Sequence, residues 1–143
     1  MPEKRTVQRA HKAKREGKSP STQAGEFVRE EIHHVREGKH GARSPEQAIA
    51  IGLSKARRAG VKTKKPKDKE GREKAEREEK QAKKPVSKTR STAAEKALKK
   101  EGKSAASKTA LSRQAKSAAK KKTAKERSAS AKKAAKTRKR NKD

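Results

Sequence analysis

The 143-residue sequence has no cysteine, tryptophan or tyrosine, and one aromatic residue, Phe27. Without cysteine there is no disulfide framework, no thiolate zinc site and no thiol nucleophile, which mildly favours an intracellular protein. Without aromatics interleaved among the basic residues, single-strand binding by base stacking is not expected. Long apolar runs are missing too. The longest, Ala48 to Leu53 with Gly52 inside it, is six residues, far short of a membrane span. The start, Met1-Pro2-Glu3-Lys4-Arg5, lacks the apolar stretch of a signal peptide. These features lead to the expectation of a soluble, intracellular chain with no membrane insertion.

Large apolar side chains are also scarce. After Met1 and before position 86 they are Val7, Phe27, Val28, Ile32, Val35, Ile49, Ile51, Leu53 and Val61; beyond lie only Val86, Leu98 and Leu111. Hydrophobic residues make up 26% of the chain and charged residues 44%, a balance that gives little burial to set against ordering entropy. Such a core builds at most a small head and no shaped, water-excluding pocket. An enzyme is not expected, and neither are catalytic residues, a small-molecule substrate or a cofactor.

What the chain has in excess is positive charge, +29 at pH 7. It is unevenly placed. From Val86 to Asp143 there are 21 Lys/Arg against 4 Asp/Glu, a net +17, whereas residues 1–60 carry 14 against 7. A weakly hydrophobic head with a long cationic tail points to a polyanion partner, and nucleic acid is the commonest polyanion in a cell.

Helix punctuation organises the head. Ser19-Pro20 opens a segment closed by Gly38, and Ser44-Pro45 opens one closed by Gly60. Ser at the cap, Pro at the first turn and Gly past the end are boundary signals, and Ser44 with Gln47 fits a capping box. Between them, Ala24, Val28, Ile32 and Val35 form one helical stripe beside Phe27. Ile49, Gly52, Leu53, Ala56 and Gly60 form another, with Gly52 and Ala56 small enough for close helix approach. The expected fold is all-α: helices near 3–16, 20–37 and 45–59, the last two a helical hairpin. The expected divisions are a head over 1–61, a charged linker with a solvated helix over 62–86, and a tail over 87–143. The Lys/Ala/Ser-rich tail is expected to be largely disordered, with transient helix around 92–101 and 108–122. Ile51 projects opposite Ile49 and calls for a partner: a first helix containing Val7, or a second copy in a homodimer through the head.

Three motifs read as structural. Arg15-Glu16-Gly17-Lys18, Arg36-Glu37-Gly38-Lys39 and Lys100-Glu101-Gly102-Lys103 repeat one pattern, a recurring helix stop. Gly-Lys-Ser at 17–19 and 102–104 ends like a phosphate-binding loop, but Lys12 and Ala97 stand where the first glycine belongs. His33 and His34 are adjacent, hence about 100° apart on a helix. Together with His40 they read as a solvated face, and no metal site is expected.

The basic residues carry the functional expectation. Lys39, His40 and Arg43 precede the capped helix start at Ser44, where free backbone N–H groups favour an anion. Lys55, Arg57, Arg58 and Lys62 cluster at the far end of the same helix. In the tail, Lys120, Lys121, Lys122, Lys132, Lys133, Lys136, Arg138, Lys139 and Arg140 have little acidic company. Such cations engage the phosphate backbone without reading sequence.

The runs Ser19-Pro20-Ser21-Thr22-Gln23-Ala24-Gly25-Glu26-Phe27-Val28-Arg29-Glu30-Glu31, Gly38-Lys39-His40-Gly41-Ala42-Arg43-Ser44 and Gln47 through Val61 resemble a small bacterial family. Its members are sometimes labelled DNA-binding proteins. The likeness covers about residues 1–62; it implies DNA binding and transfers no functional residue. The tail is similar in composition to linker-histone-like bacterial tails. The expectation is a non-sequence-specific, nucleoid-associated DNA binder in the bacterial cytoplasm, or a nuclear protein if the source is eukaryotic. The competing readings are an RNA- or ribosome-associated basic protein and a hydrophilic stress protectant with no specific ligand.

Overall fold

A computed structural model describes residues 2–82 and 84–142. Met1, Lys83 and Asp143, which fall in the expected head, linker and tail, lie outside the described residues. The fold is all-helical, with no strand among the described residues. Its helices are α1 (Lys4–Arg15), α2 (Pro20–Glu37), α3 (Pro45–Arg58), α4 (Lys69–Lys80), α5 (Lys88–Lys99), α6 (Lys108–Lys121) and α7 (Ala124–Lys142). A 3₁₀ turn, Ser104–Ala106, precedes α6. Among the described residues, no helix is long and apolar enough to cross a membrane. The chain forms two compact units, one ending at Ser107 and one beginning at Lys108.

The boundary residues act largely as their chemistry dictates. The Ser44 hydroxyl accepts the Gln47 N–H at 3.2 Å, and the Gln47 side chain accepts the Arg43 N–H at 2.6 Å. The capping box is therefore formed with its return arm one residue before the cap. Ser19 holds the cap position of α2, but its hydroxyl turns to Ser21 and Thr22 instead of a backbone N–H. Gly38 closes α2 at φ 78°, a left-handed conformation that costs glycine nothing.

The first unit has two small cores along α2 and α3. One gathers Ala10 of α1, Ala24 and Phe27 of α2, Ala56 of α3 and Val61, with Val7, Leu53 and Ala59 against it. Phe27 is fully buried there, its ring supplying the largest apolar surface of the head. Close helix crossing allows this: a β-carbon on Gly52 would lie 2.6 Å from the Val28 Cα. Ile51 is half-buried within the single chain.

The second core joins Val35, Ala42 and Ala48 to Ala105 and Ala106, with Ile32 alongside. Here the expected disordered tail is corrected. Residues 98–106 pack into the head: Gly41 N–H donates to the Leu98 carbonyl at 2.8 Å, and Ala42 N–H to the Gly102 carbonyl at 3.1 Å. Arg36 Nε donates to the Ala106 carbonyl at 2.8 Å. The two consecutive alanines, Ala105 and Ala106, are both buried in this core.

The solvated linker helix is corrected in part as well. α4 buries Ala75 completely and Glu78 nearly so, and Glu78 meets Arg57 and Ser54 of α3. Asp68 starts α4 by accepting the Gly71 N–H at 2.7 Å.

The second unit is helical in both α6, where transient helix is expected, and α7, where disorder is expected. α6 and α7 are rich in Ala, Lys and Arg, the residues that lose least on entering a helix. Thr123 and Glu126 form a reciprocal capping box at the head of α7. Thr123 N–H donates to Glu126 Oε2 at 2.9 Å, and Glu126 N–H to the Thr123 hydroxyl at 3.2 Å.

Candidate nucleic-acid interface

The basic residues singled out in the head separate into two classes. Arg57 is buried; its guanidinium donates to Glu78 Oε2 at 3.1 Å and through Nε to the Thr63 hydroxyl at 2.7 Å. Lys55 donates to the buried Glu31 carboxylate, and His40 turns inward with Nε2 3.0 Å from Glu31 Oε2. These three side chains turn toward acidic residues of the head itself. The charge spacing that marked them says nothing about which way each side chain turns.

Lys39, Arg43, Arg58 and Lys62 are exposed. Lys39 sits 3.4 Å from both Glu3 and Glu37. Hydrogen bonding to these, Glu3 first, raises its pKa, so it stays charged. The Glu3 carboxyl is pulled below its ordinary value, chiefly by hydrogen bonds from His34 and Lys39. Arg43 lies 3.7 Å from Glu101, its side chain 80% exposed and free to reach outward. The structure therefore leaves four of the seven head residues at the surface.

A basic face that the sequence pattern left unused runs along α1. Arg5, Arg9, Lys12 and Arg15, with Gln8, line one open groove. Their spacing, i, i+4, i+7 and i+10, puts them on one side of the helix, beside the buried stripe of Thr6, Ala10 and Ala13. The signal was present in that spacing. Arg9 and Lys12 have only long ion pairs, 3.9 Å to Glu26 and to Glu16.

The second unit concentrates charge of one sign. Between Lys108 and Lys142 stand 15 Lys/Arg and one acidic residue, Glu126. All 15 are exposed. No ion pair among the described residues involves Lys120, Lys121, Lys122, Lys132, Lys133, Lys136, Arg138, Lys139 or Arg140. At 100° per residue, Lys125, Lys132, Lys133, Lys136, Lys139 and Arg140 of α7 fall on one side of the helix, and Arg127, Arg138 and Lys142 on the other. On α6, Arg113, Lys116 and Lys120 line one face at i, i+3 and i+7. Held in helices, these cations keep fixed spacings, which a disordered tail would not provide. No protein-family model, curated protein or solved structure matches the chain.

Proposed function

We propose that the chain is a non-sequence-specific DNA-binding protein that grips the phosphate backbone through α6 and α7. The observation that supports this most is the row of exposed cations on α7, with one acidic residue, Glu126, against 15 Lys/Arg between Lys108 and Lys142. From Lys125 to Lys139 the face runs roughly 21 Å at the helical rise of about 1.5 Å per residue. Duplex DNA carries a phosphate charge about every 1.7 Å of axis, so this length lies alongside roughly twelve. Binding then follows from release of condensed counterions and carries no base readout.

The head adds exposed Arg43, Arg58 and Lys62 and the α1 face. Its α2–α3 pair, read as a hairpin, orients the chain or pairs it with a second copy through Ile51. In a bacterial cell this activity places the protein on the nucleoid. The test is competition among duplex DNA, structured RNA and single strands at ~150 mM salt, near physiological strength. Duplex preference supports the reading. Preference for structured RNA favours the ribosome-associated alternative, and absence of binding to all three favours the stress protectant.

A further inference from the structure

We propose that Glu31, His34 and His40 form a binding site for a divalent transition-metal ion of the zinc class. The adjacent pair His33–His34 cannot converge on one ion, and His33 is indeed exposed. The trio is different: it takes one histidine from α2, one from the loop after it, and the carboxylate one helical turn before His34.

The donor atoms converge. His40 Nε2 is 3.0 Å from Glu31 Oε2, and His34 Nδ1 is 3.8 Å from Glu31 Oε1. One donor atom from each residue lies within 4.8 Å of the others. The rings stand nearly perpendicular, at 86°, with centroids 6.0 Å apart. Zinc bonds to nitrogen and oxygen of about 2.0–2.1 Å put tetrahedral ligand atoms roughly 3.3 Å apart, within the range of these separations.

Hydrogen bonding fixes what each donor presents. His40 Nδ1 is 2.9 Å from the Gly41 carbonyl, which can only accept, so that nitrogen carries the proton. In the neutral ring Nε2 is then a lone pair aimed at a carboxylate oxygen. His34 Nε2 is 3.1 Å from Glu3 Oε1 and 3.7 Å from Glu30 Oε1. A proton shared with those carboxylates leaves Nδ1 as a second lone pair facing Glu31. Each imidazole is thus tied through its far nitrogen to a carbonyl or a carboxylate, the arrangement that orients metal-ligating histidines.

Glu31 supplies the independent sign. Its side chain is fully buried, and Oε2 makes no hydrogen bond. Lys55 donates to Oε1, neutralising and orienting the group while leaving Oε2 to ligate. A buried carboxylate oxygen facing an imidazole lone pair requires a cation between them, either a second proton on His40 or a metal ion. A proton would satisfy Oε2 without engaging His34 Nδ1, 3.8 Å from Glu31 Oε1. One ion engages all three. With three protein ligands the fourth tetrahedral position is left for water or an anion.

The test titrates the metal-free full chain with Zn²⁺ by calorimetry, with Co²⁺ as a coloured substitute. The expected result is saturable uptake of one equivalent, a higher melting temperature and the visible bands of tetrahedral Co²⁺. Imidazole NMR signals of His34 and His40 should move on adding Zn²⁺ while those of His11 and His33 stay. His40→Ala should abolish the uptake, Glu3→Gln should weaken it about 10–100-fold, and His33→Ala should leave it unchanged. The wild-type NMR readout stands even if His40→Ala fails to fold. No saturable uptake by the wild type, or equal shifts at all four histidines, overturns the proposal and leaves the protonated His40–Glu31 pair.

Discussion

Gly41 lies so close to the main chain of Glu101 that a β-carbon at position 41 would come 1.9 Å from the Glu101 carbonyl oxygen. The loop that ends α2 and the segment after α5 are therefore pressed together backbone to backbone. They also share the hydrogen bonds from Gly41 to Leu98 and from Ala42 to Gly102. Gly41→Ala must push these segments apart and pull Ala105 and Ala106 from their slot. Overpacking of this kind costs about 1–3 kcal/mol. Chemical denaturation should show that loss, and amide exchange should quicken at Gly41 and Ala42. Unchanged protection at both would mean that residues 98–106 do not dock.

The Arg57–Glu78 pair makes a second prediction, about a residue that its basic company marked for phosphate binding. Both side chains are buried, and removing one partner of such a pair costs about 3–5 kcal/mol because the other charge is left without compensation. Glu78→Gln should destabilise the first unit by an amount in that range. Replacing both by apolar residues, Arg57→Met with Glu78→Leu, should recover most of the loss. At a temperature where the double variant is folded, its affinity for duplex DNA should match that of the unmodified chain. A marked fall in affinity would show that Arg57 reaches phosphate.

The fate of these residues shows how far the sequence could be read. The second and third head helices are legible from Pro20, Gly38, Ser44 and Pro45, because caps act locally. The Phe27 and Ala56 contact followed from helical spacing. Ala105 and Ala106 were not legible: the burial of two small residues depends on a slot built by Val35, Ala42 and Ala48, distant in the chain. The inward turn of His40, Lys55 and Arg57 is not legible for a related reason, since charged residues look solvated until the fold turns them inward together. The capping box of Thr123 and Glu126 was legible in the four residues from Thr123 and went unread beside so much lysine.

That capping box is testable alone. Thr123→Ala removes an N-cap hydroxyl, at a cost of about 1 kcal/mol to the start of α7. Circular dichroism of the full chain should show reduced helicity, and Thr123→Ser should restore it. Equal helicity in all three would mean that α7 does not depend on its cap.

Glu16 gives the pH dependence. Its carboxyl is held below the ordinary value, first by the hydrogen bond from Lys18 and then by that ammonium's charge, at 2.8 Å. A depressed folded-state pKa stabilises above the unfolded value, and that contribution disappears as pH falls through the folded one. Carboxyl NMR should place the Glu16 midpoint below the usual ~4.3 for glutamate. Lys18→Gln should move it upward; no movement would remove Lys18 as the cause.

If the cations of α7 grip a phosphate backbone, as proposed, duplex binding must depend steeply on salt. If about eight phosphates are engaged, log K should fall against log salt with a slope near −7. Replacing Lys125, Lys132, Lys133, Lys136, Lys139 and Arg140 by Gln should reduce that slope by about 5, at ~0.9 per lost phosphate contact. A slope and an affinity unchanged by the six substitutions would contradict the account.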